Sequence, residues 1–211
     1  MQIRMHNRAF LGRLACCVMS LGSIATAGSA TAPSTEPLYV APIPDDMNVG
    51  FTENHIVIDR SAQQVFDFVT TPANTARWFP RMHAWTVAHG GAADKPQKLG
   101  DVTIEEIEPV HPGDTPVKVQ YTVVALIPGH EWVAVGQDLQ SDGRPSERIR
   151  SIADWSVKPL PGGRSLFVRI FESVRPNVHN PDARPSALDT AWMQPGLVGL
   201  KQMIEKELPK K

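Results

Sequence analysis

Glu172 is the acidic residue best placed for chemistry in this chain of 211 residues. It shares one alternating phase of a predicted strand with four apolar residues, Leu166, Val168, Ile170 and Val174. In an inward-facing phase, burial would raise the pKa of the Glu172 carboxyl group, which would then serve as an acid or base or hold the polar head of a ligand. The alternative is a position at the end of the sheet, or pairing with an arginine.

Large aromatic side chains accompany this carboxylate along the predicted strands and the last helix. Tryptophan and tyrosine combine a broad apolar surface with one polar tip, which suits the wall of a ligand cavity. Methionine fills irregular gaps in such a wall. The candidate ligand-binding residues, besides Glu172, are therefore Trp85, Tyr121, Trp132, Trp155, Trp192 and Met193. The alternative for each of them is ordinary hydrophobic core.

The histidines form no catalytic or metal-binding pattern. None has the HExxH spacing of a zinc site. The sequence also contains neither a G-x-S-x-G nucleophile motif nor a phosphate-binding glycine loop. His83 and His89 share a predicted strand face with Trp85, yet an exposed or hydrogen-bonded histidine is the simpler interpretation. We therefore expect no metal and no cofactor, and we find no catalytic constellation.

The elements that position these residues begin with a strand and two short helices. The β-branched run from Ile56 to Ile58 favours a strand. Ser61 and Gln64 have the spacing of a capping box, which predicts that a helix begins there. Pro72 suits the first position of a second helix.

Six further strands and a terminal helix follow in the predicted order. The strands are separated by short turns, which indicates an antiparallel sheet. The clearest alternation of apolar and polar residues covers 117–127. The terminal helix carries an apolar stripe at helical spacing, formed by Leu197, Leu200, Ile204 and Leu208.

Small residues in two of the predicted strands suggest space inside the fold. Ala134 and Gly136 follow Trp132 in one phase, and Ser151 and Ala153 precede Trp155 in the next strand. Small side chains in mid-strand, with aromatic ones towards the ends, predict a cavity. The alternative is tight packing against the last helix.

Residues 1–30 have the pattern of a secretory signal peptide. Arg4, Arg8 and Arg13 precede an apolar run from Leu14 to Ile24, and small residues up to Ala30 fit a cleavage site. The apolar run is too short to span a bilayer comfortably. We therefore expect an exported protein, periplasmic or secreted, with no transmembrane segment in the mature chain. A short membrane anchor and lipid attachment are the alternatives.

Cysteine content and charge narrow the classes of function. Both cysteines, Cys16 and Cys17, lie in this signal segment, so the mature chain has no disulfide, thiol nucleophile or cysteine metal site. Removal of the three signal arginines takes the formal net charge from −1 to −4, which gives no support for nucleic-acid binding. The proline-rich residues 31–50 predict an extended lead-in, and 51–208 is long enough for one domain.

The stretch from Ile56 to Pro80 resembles the opening of the START-like superfamily, which includes polyketide cyclase/dehydrase-type and Bet v 1-type proteins. Weaker similarity continues at Leu99–Val102, at Asp154–Arg164 and at Gly199–Leu208, so that it covers about 51–208. The resemblance implies an α+β helix-grip fold. In that fold a curved antiparallel sheet and two short helices near the N-terminus pack on a long C-terminal helix.

The function expected from these observations is binding of a small hydrophobic or amphipathic ligand in a cavity under the C-terminal helix. The resemblance also implies an alternative function, that of a cyclase- or dehydrase-like enzyme with an internal acid or base. A module that binds another exported protein is the third possibility.

Overall fold

The computed structural model describes residues 47–108, 116–176 and 190–210. The elements are β1 Met47–Ile58, α1 Ala62–Val69, α2 Pro72–Trp78, β2 Met82–His89, β3 Val102–Ile107, β4 Val117–Ile127, β5 Glu131–Leu139, β6 Pro145–Leu160, β7 Arg164–Pro176 and α3 Thr190–Glu207. This order confirms the one predicted from the sequence. The predicted signal peptide, 1–30, lies outside the described residues.

All seven strands belong to one antiparallel sheet with the order β1-β7-β6-β5-β4-β3-β2. Strands β2 to β7 follow one another as neighbours, whereas β1 pairs with β7 along its whole length. The helices α1 and α2 therefore connect the two edges of the sheet. The curved sheet with its long last helix is the expected helix-grip arrangement.

The first strand is longer than the sequence pattern predicted. It begins at Met47, before the predicted domain start at Phe51. The last residues of the predicted lead-in, 31–50, are therefore already part of the strand. Residues 31–46 lie outside the described residues. The pattern missed this start because Phe51 and Val49 lie on the exposed face, while the buried residues of this part of the strand, Thr52 and Asn54, are polar.

Helix α1 is built as its capping box predicted. The Ser61 hydroxyl accepts from the Gln64 backbone N–H at 3.4 Å, and the Gln64 side chain accepts from the Ser61 N–H at 3.3 Å. These bonds satisfy donors that the first helical turn leaves without a partner. The apolar residues of the helix, Val65, Phe66, Phe68 and Val69, are buried against the sheet.

Helix α3 buries three residues of the predicted stripe, since Leu197, Leu200 and Ile204 are fully inaccessible to solvent. The fourth, Leu208, follows the end of the helix and is half-buried. The helix continues through Pro195. Gly196 is needed at the next position because a Cβ atom there would lie 2.7 Å from Pro80 Cδ. The close approach of α3 to the end of α2 therefore depends on a residue without a side chain. No helix in the described part of the chain is long and apolar enough to cross a membrane.

The hydrophobic core lies against the inner face of the sheet. The phases of β5 and β6 that contain Trp132 and Trp155 face inward, as predicted. Trp132 and Ala134 of β5 are buried there with Ala153 and Trp155 of β6. In β4 the predicted alternation ends early, because the register with β5 shifts between Val123 and Ala125. Such a bulge reverses which side chains face inward.

The inward phase of β7 is the opposite of the predicted one. Phe167, Arg169 and Phe171 are buried on the inner face. Glu172 is half-buried on the outer face, opposite the exposed Phe51 of β1. The prediction that Glu172 points into the interior is therefore wrong. Alternation misleads here because β7 lies inside the sheet and carries large apolar residues in both of its phases.

Candidate functional site

A cavity of about 50 Å³ lies on the inner face of the sheet. A buried water occupies roughly 10–15 Å³ on this measure, so the space corresponds to a few waters or to one polar group of a ligand. It is well below the ~300 Å³ at which drug-sized ligand pockets begin. Its lining residues are Phe79, Trp85, Glu105, Ile107, Tyr121, Trp132, Ala153, Trp155, Arg169 and Phe171.

The structure brings together four of the residues proposed from the sequence. Trp85, Tyr121, Trp132 and Trp155 all line the cavity. Whether these four bind a ligand stays a prediction. Ala153, one of the small residues taken to leave space, also lines it.

The other proposed residues lie elsewhere. Met193 is fully buried in the core but is not part of the described cavity wall. Glu172 lies on the outer face, and the Trp192 side chain lies outside the described residues. Among the described residues of α3 none lines the cavity, whose helical side is formed by Phe79 at the end of α2.

The aromatic side chains that line the cavity form its aromatic wall, and Trp155 is at the centre of this wall. Its ring centroid lies 4.6 Å from that of Trp132, 6.1 Å from Trp85 and 6.1 Å from Phe167. Tilted and edge-to-face contacts of this kind stabilise aromatic clusters beyond simple burial. The same packing leaves the buried indole N–H groups of Trp85, Trp132 and Trp155 without a hydrogen-bond partner among the described residues.

Arg169 places a cation beside the aromatic wall. Only 2% of the residue is exposed, and its guanidinium carbon lies 5.5 Å from the Phe79 ring centroid and 5.0 Å from that of Phe171. Its Nε and Nη1 atoms have no hydrogen-bond partner within residues 47–108, 116–176 and 190–210. Burial lowers the pKa of Arg169 to about 10, so the side chain remains charged at neutral pH. The two ring faces support that charge in place of water.

Glu105 is the carboxyl group of the site. It lies in the middle of β3 and is 4% exposed. Burial raises the pKa of Glu105 to about 8, although the nearby charge of Arg169 acts in the opposite direction. The carboxyl group is therefore mainly protonated at pH 7 and able to donate a hydrogen bond.

Tyr121 completes the polar part of the cavity. Its hydroxyl lies 3.3 Å from the Ser151 hydroxyl, and both residues are buried. Burial, reinforced by Glu105, raises the pKa of Tyr121 above its ordinary range. The phenol therefore stays protonated and remains available as a donor or acceptor.

Sequence reasoning missed Glu105 and Arg169. In β3 the more polar phase, with Thr103 and Glu105, is the buried one, while Ile104 is only half-buried. Alternation of apolar residues therefore does not reveal which phase of β3 faces inward. In β7 the spacing of Arg169 between Phe167 and Phe171 was a usable indication, because an arginine two residues from a phenylalanine on each side shares their face.

The described residues also bear on the histidine and metal patterns considered for the sequence. The described residues contain no group of three or more His, Cys, Asp or Glu side chains that could hold a metal ion. The His55 and His83 side chains are exposed, and neither residue lines the cavity. His111 and His179 lie outside the described residues.

Solved structures share this fold at low sequence identity. A START superfamily protein from Mycobacterium smegmatis aligns with a TM-score of 0.54 and 12% identity, covering 75% of this chain and 99% of its own. A protein from Chromobacterium violaceum gives 0.53 and 19%, covering 74% and 97%. A protein from Deinococcus radiodurans gives 0.53 and 14%, covering 75% and 98%. No curated protein matches the sequence significantly.

One family model extends over most of the chain. The model described as polyketide cyclase/dehydrase and lipid transport matches residues 52–205. This range includes every strand from β2 to β7 and all the lining residues of the cavity. The chain therefore belongs to the polyketide cyclase/dehydrase and lipid transport family, and it shares the fold of a START superfamily protein.

Proposed function

We propose that the protein binds a small amphipathic molecule in the cavity on the inner face of the sheet. The polar part of the molecule lies beside Glu105 and Arg169, and its apolar part lies against the aromatic wall. The observation that carries this proposal is the buried side chain of Arg169, which lines the cavity and whose Nε and Nη1 atoms find no acceptor among the described residues. Because buried polar groups are normally hydrogen-bonded, a bound molecule is a natural source of the missing acceptors.

Burial of apolar surface supplies most of the binding free energy in such a site. The cavity of about 50 Å³ holds only the head of a ligand, so a larger body requires side chains to move. Ile107 is half-buried whereas the other described lining residues are buried. The cavity therefore comes closest to solvent at the end of β3, which is the expected route of entry.

Filling the cavity tests this proposal. Ala153→Phe places a ring in the space, and we expect affinity for a bound molecule to fall at least tenfold, because the head group no longer fits. Ile152→Phe is the matched control, since Ile152 is 39% exposed on the opposite face of the same strand. Native mass spectrometry of gently purified protein, followed by solvent extraction, detects and identifies a retained ligand.

Retention of the same ligand by Ala153→Phe and Ile152→Phe would overturn the proposed site. Ala153→Val, a smaller change at the same position, replaces Ala153→Phe if that variant does not fold. Circular dichroism and urea unfolding of every variant separate loss of binding from loss of structure.

We also propose that the protein works outside the cytoplasm. The support is the basic start, the apolar run and the small residues within 1–30. Mass spectrometry of protein isolated from the periplasm or medium of a bacterial host should find a chain that begins near residue 31. A full-length chain in the cytoplasm would contradict export.

A second candidate function is acid–base catalysis on the bound molecule. It is favoured by Glu105, because a carboxyl group with a pKa of about 8 beside a cavity is suited to transfer protons near neutral pH. In an enzyme of the cyclase or dehydrase type, Glu105→Gln would abolish turnover while the substrate still binds. Unchanged turnover would exclude Glu105 as the acid or base.

A further inference from the structure

Building on the ligand-binding function proposed above, we propose that the cavity selects a carboxylic acid with a flat apolar body. The ligand is held as its carboxylate by the guanidinium of Arg169 and by a hydrogen bond from the protonated carboxyl group of Glu105. Neutral and cationic molecules of the same shape bind less tightly.

The charge beside the cavity is positive at neutral pH. Arg169 is charged, Glu105 is mainly neutral, and the tyrosine and tryptophan side chains of the wall carry no charge. A buried cation without a counter-ion is costly, and a paired one is much less so. A bound anion would supply that counter-ion, and the charge-assisted hydrogen bonds between guanidinium and carboxylate are among the strongest in proteins.

The hydrogen-bonding groups of the wall also favour an acceptor-rich ligand. Nε and Nη1 of Arg169 and the indole N–H groups of Trp85, Trp132 and Trp155 are donors without an acceptor in the part of the chain that the structure describes. An ionised carboxylate offers only acceptor sites, roughly four of them. An ammonium group would find few acceptors here and would be repelled by Arg169.

The flat shape follows from the rings that form the wall. Six of the lining residues carry aromatic side chains, namely Phe79, Trp85, Tyr121, Trp132, Trp155 and Phe171. Aromatic faces prefer offset or edge contacts with other planar groups. A flat body also needs less displacement of side chains than a bulky one does.

Glu105 makes this selection dependent on pH. Among the described residues, the charge of Arg169 of β7 lowers the pKa of Glu105, and Glu105 in turn raises the pKa of Tyr121 of β4. Once Glu105 ionises, it loses its donor hydrogen and repels the ligand carboxylate. Affinity for an acid should therefore fall as the pH rises through about 8, whereas affinity for the matching amide should change little.

Calorimetric titration with matched pairs tests the inference. The probes are phenylacetic acid with phenylacetamide, and 2-naphthoic acid with 2-naphthamide, each at pH 6.5 and pH 9. In the wild type we expect the acids to bind at least tenfold more tightly than the amides at pH 6.5, with most of this preference lost at pH 9. Glu105→Gln should remove the pH dependence, and Arg169→Met should remove the preference itself. Arg150→Met, at an exposed position on β6, is the control for loss of an arginine charge.

The possible results separate the ligand class from the binding function. Equal affinity for acid and amide at pH 6.5 would overturn the selection of acids and leave small-molecule binding intact. Absence of binding for all four probes in the wild type would count against both. The pH series needs only the wild-type protein, so a misfolded Arg169→Met variant does not prevent a decision.

Discussion

The ring of Tyr121 occupies the space above Gly136, its partner residue in the neighbouring strand. A Cβ atom on Gly136 would lie 2.5 Å from Tyr121 Cε1 and 2.6 Å from the Ser151 hydroxyl oxygen. The glycine thus lets the Tyr121 hydroxyl reach Ser151 at the cavity. Part of the space predicted from the small residues of β5 is therefore filled by this ring.

Gly136→Ala should destabilise the protein by about 1–3 kcal/mol, because the added methyl group overpacks a buried site that cannot expand freely. Urea unfolding followed by circular dichroism measures the change. Gly199→Ala is the contrasting control, since no atom lies within 4 Å of a Cβ atom added there. In the middle of α3, that substitution should stabilise the protein by about 0.5–1 kcal/mol. An unchanged free energy of unfolding for Gly136→Ala would contradict the packing described above.

Glu105→Gln should change how stability depends on pH. The folded-state pKa of Glu105, about 8, is raised above the ordinary value of 4.5, so the folded protein binds the proton more tightly than the unfolded chain does. By linkage, the contribution of this proton to stability is complete below about pH 4.5 and declines up to about pH 8.

The glutamine variant lacks this decline. At pH 5 its free energy of unfolding should be close to that of the wild type, and at pH 8 it should be higher by a few kcal/mol. Urea unfolding at the two pH values gives the comparison. A wild-type minus variant difference that does not change between pH 5 and pH 8 would show that Glu105 is not buried as described.

Arg60→Gln should loosen the end of α3. Arg60 Nε donates to the Leu208 carbonyl at 2.7 Å, and the same guanidinium donates to the Glu205 carbonyl. Hydrogen bonds from a charged group contribute roughly 1.5–3 kcal/mol each, so we expect a loss of about 2 kcal/mol or more. Hydrogen exchange should become faster in the last turn of the helix.

Arg77→Gln provides the comparison for this prediction. Arg77 contacts Glu207 near the same end of α3, but both side chains are more than a third exposed. An exposed ion pair contributes roughly 0–1 kcal/mol. Equal losses for Arg60→Gln and Arg77→Gln would show that burial of Arg60 has no special role.

Glu172→Gln should have almost no effect. The side chain lies on the outer face, away from the cavity, and surface substitutions of this kind usually change stability by less than about 0.5 kcal/mol. Binding of the acid probes should also be unchanged. A tenfold loss of affinity would restore the original assignment of Glu172 to the ligand site.

Local features of the chain were predictable because neighbouring residues determine them. The capping box of Ser61 and Gln64 fixes the start of α1, and the apolar spacing of α3 fixes the face that it buries. The antiparallel pairing of successive strands followed from the short turns. Large aromatic residues were correctly assigned to the interior because burying them contributes the most free energy. Four of those aromatic residues line the cavity.

The sequence by itself determined the elements, their order, the family and the aromatic part of the cavity wall. Only the tertiary structure decided that Glu105 and Arg169 lie at the same cavity, while Glu172 lies outside it. The physical reason is that strand pairing and packing against the helices choose which phase of a strand faces inward. In β3 and β7 both phases contain apolar residues, so alternation along the chain could not make that choice.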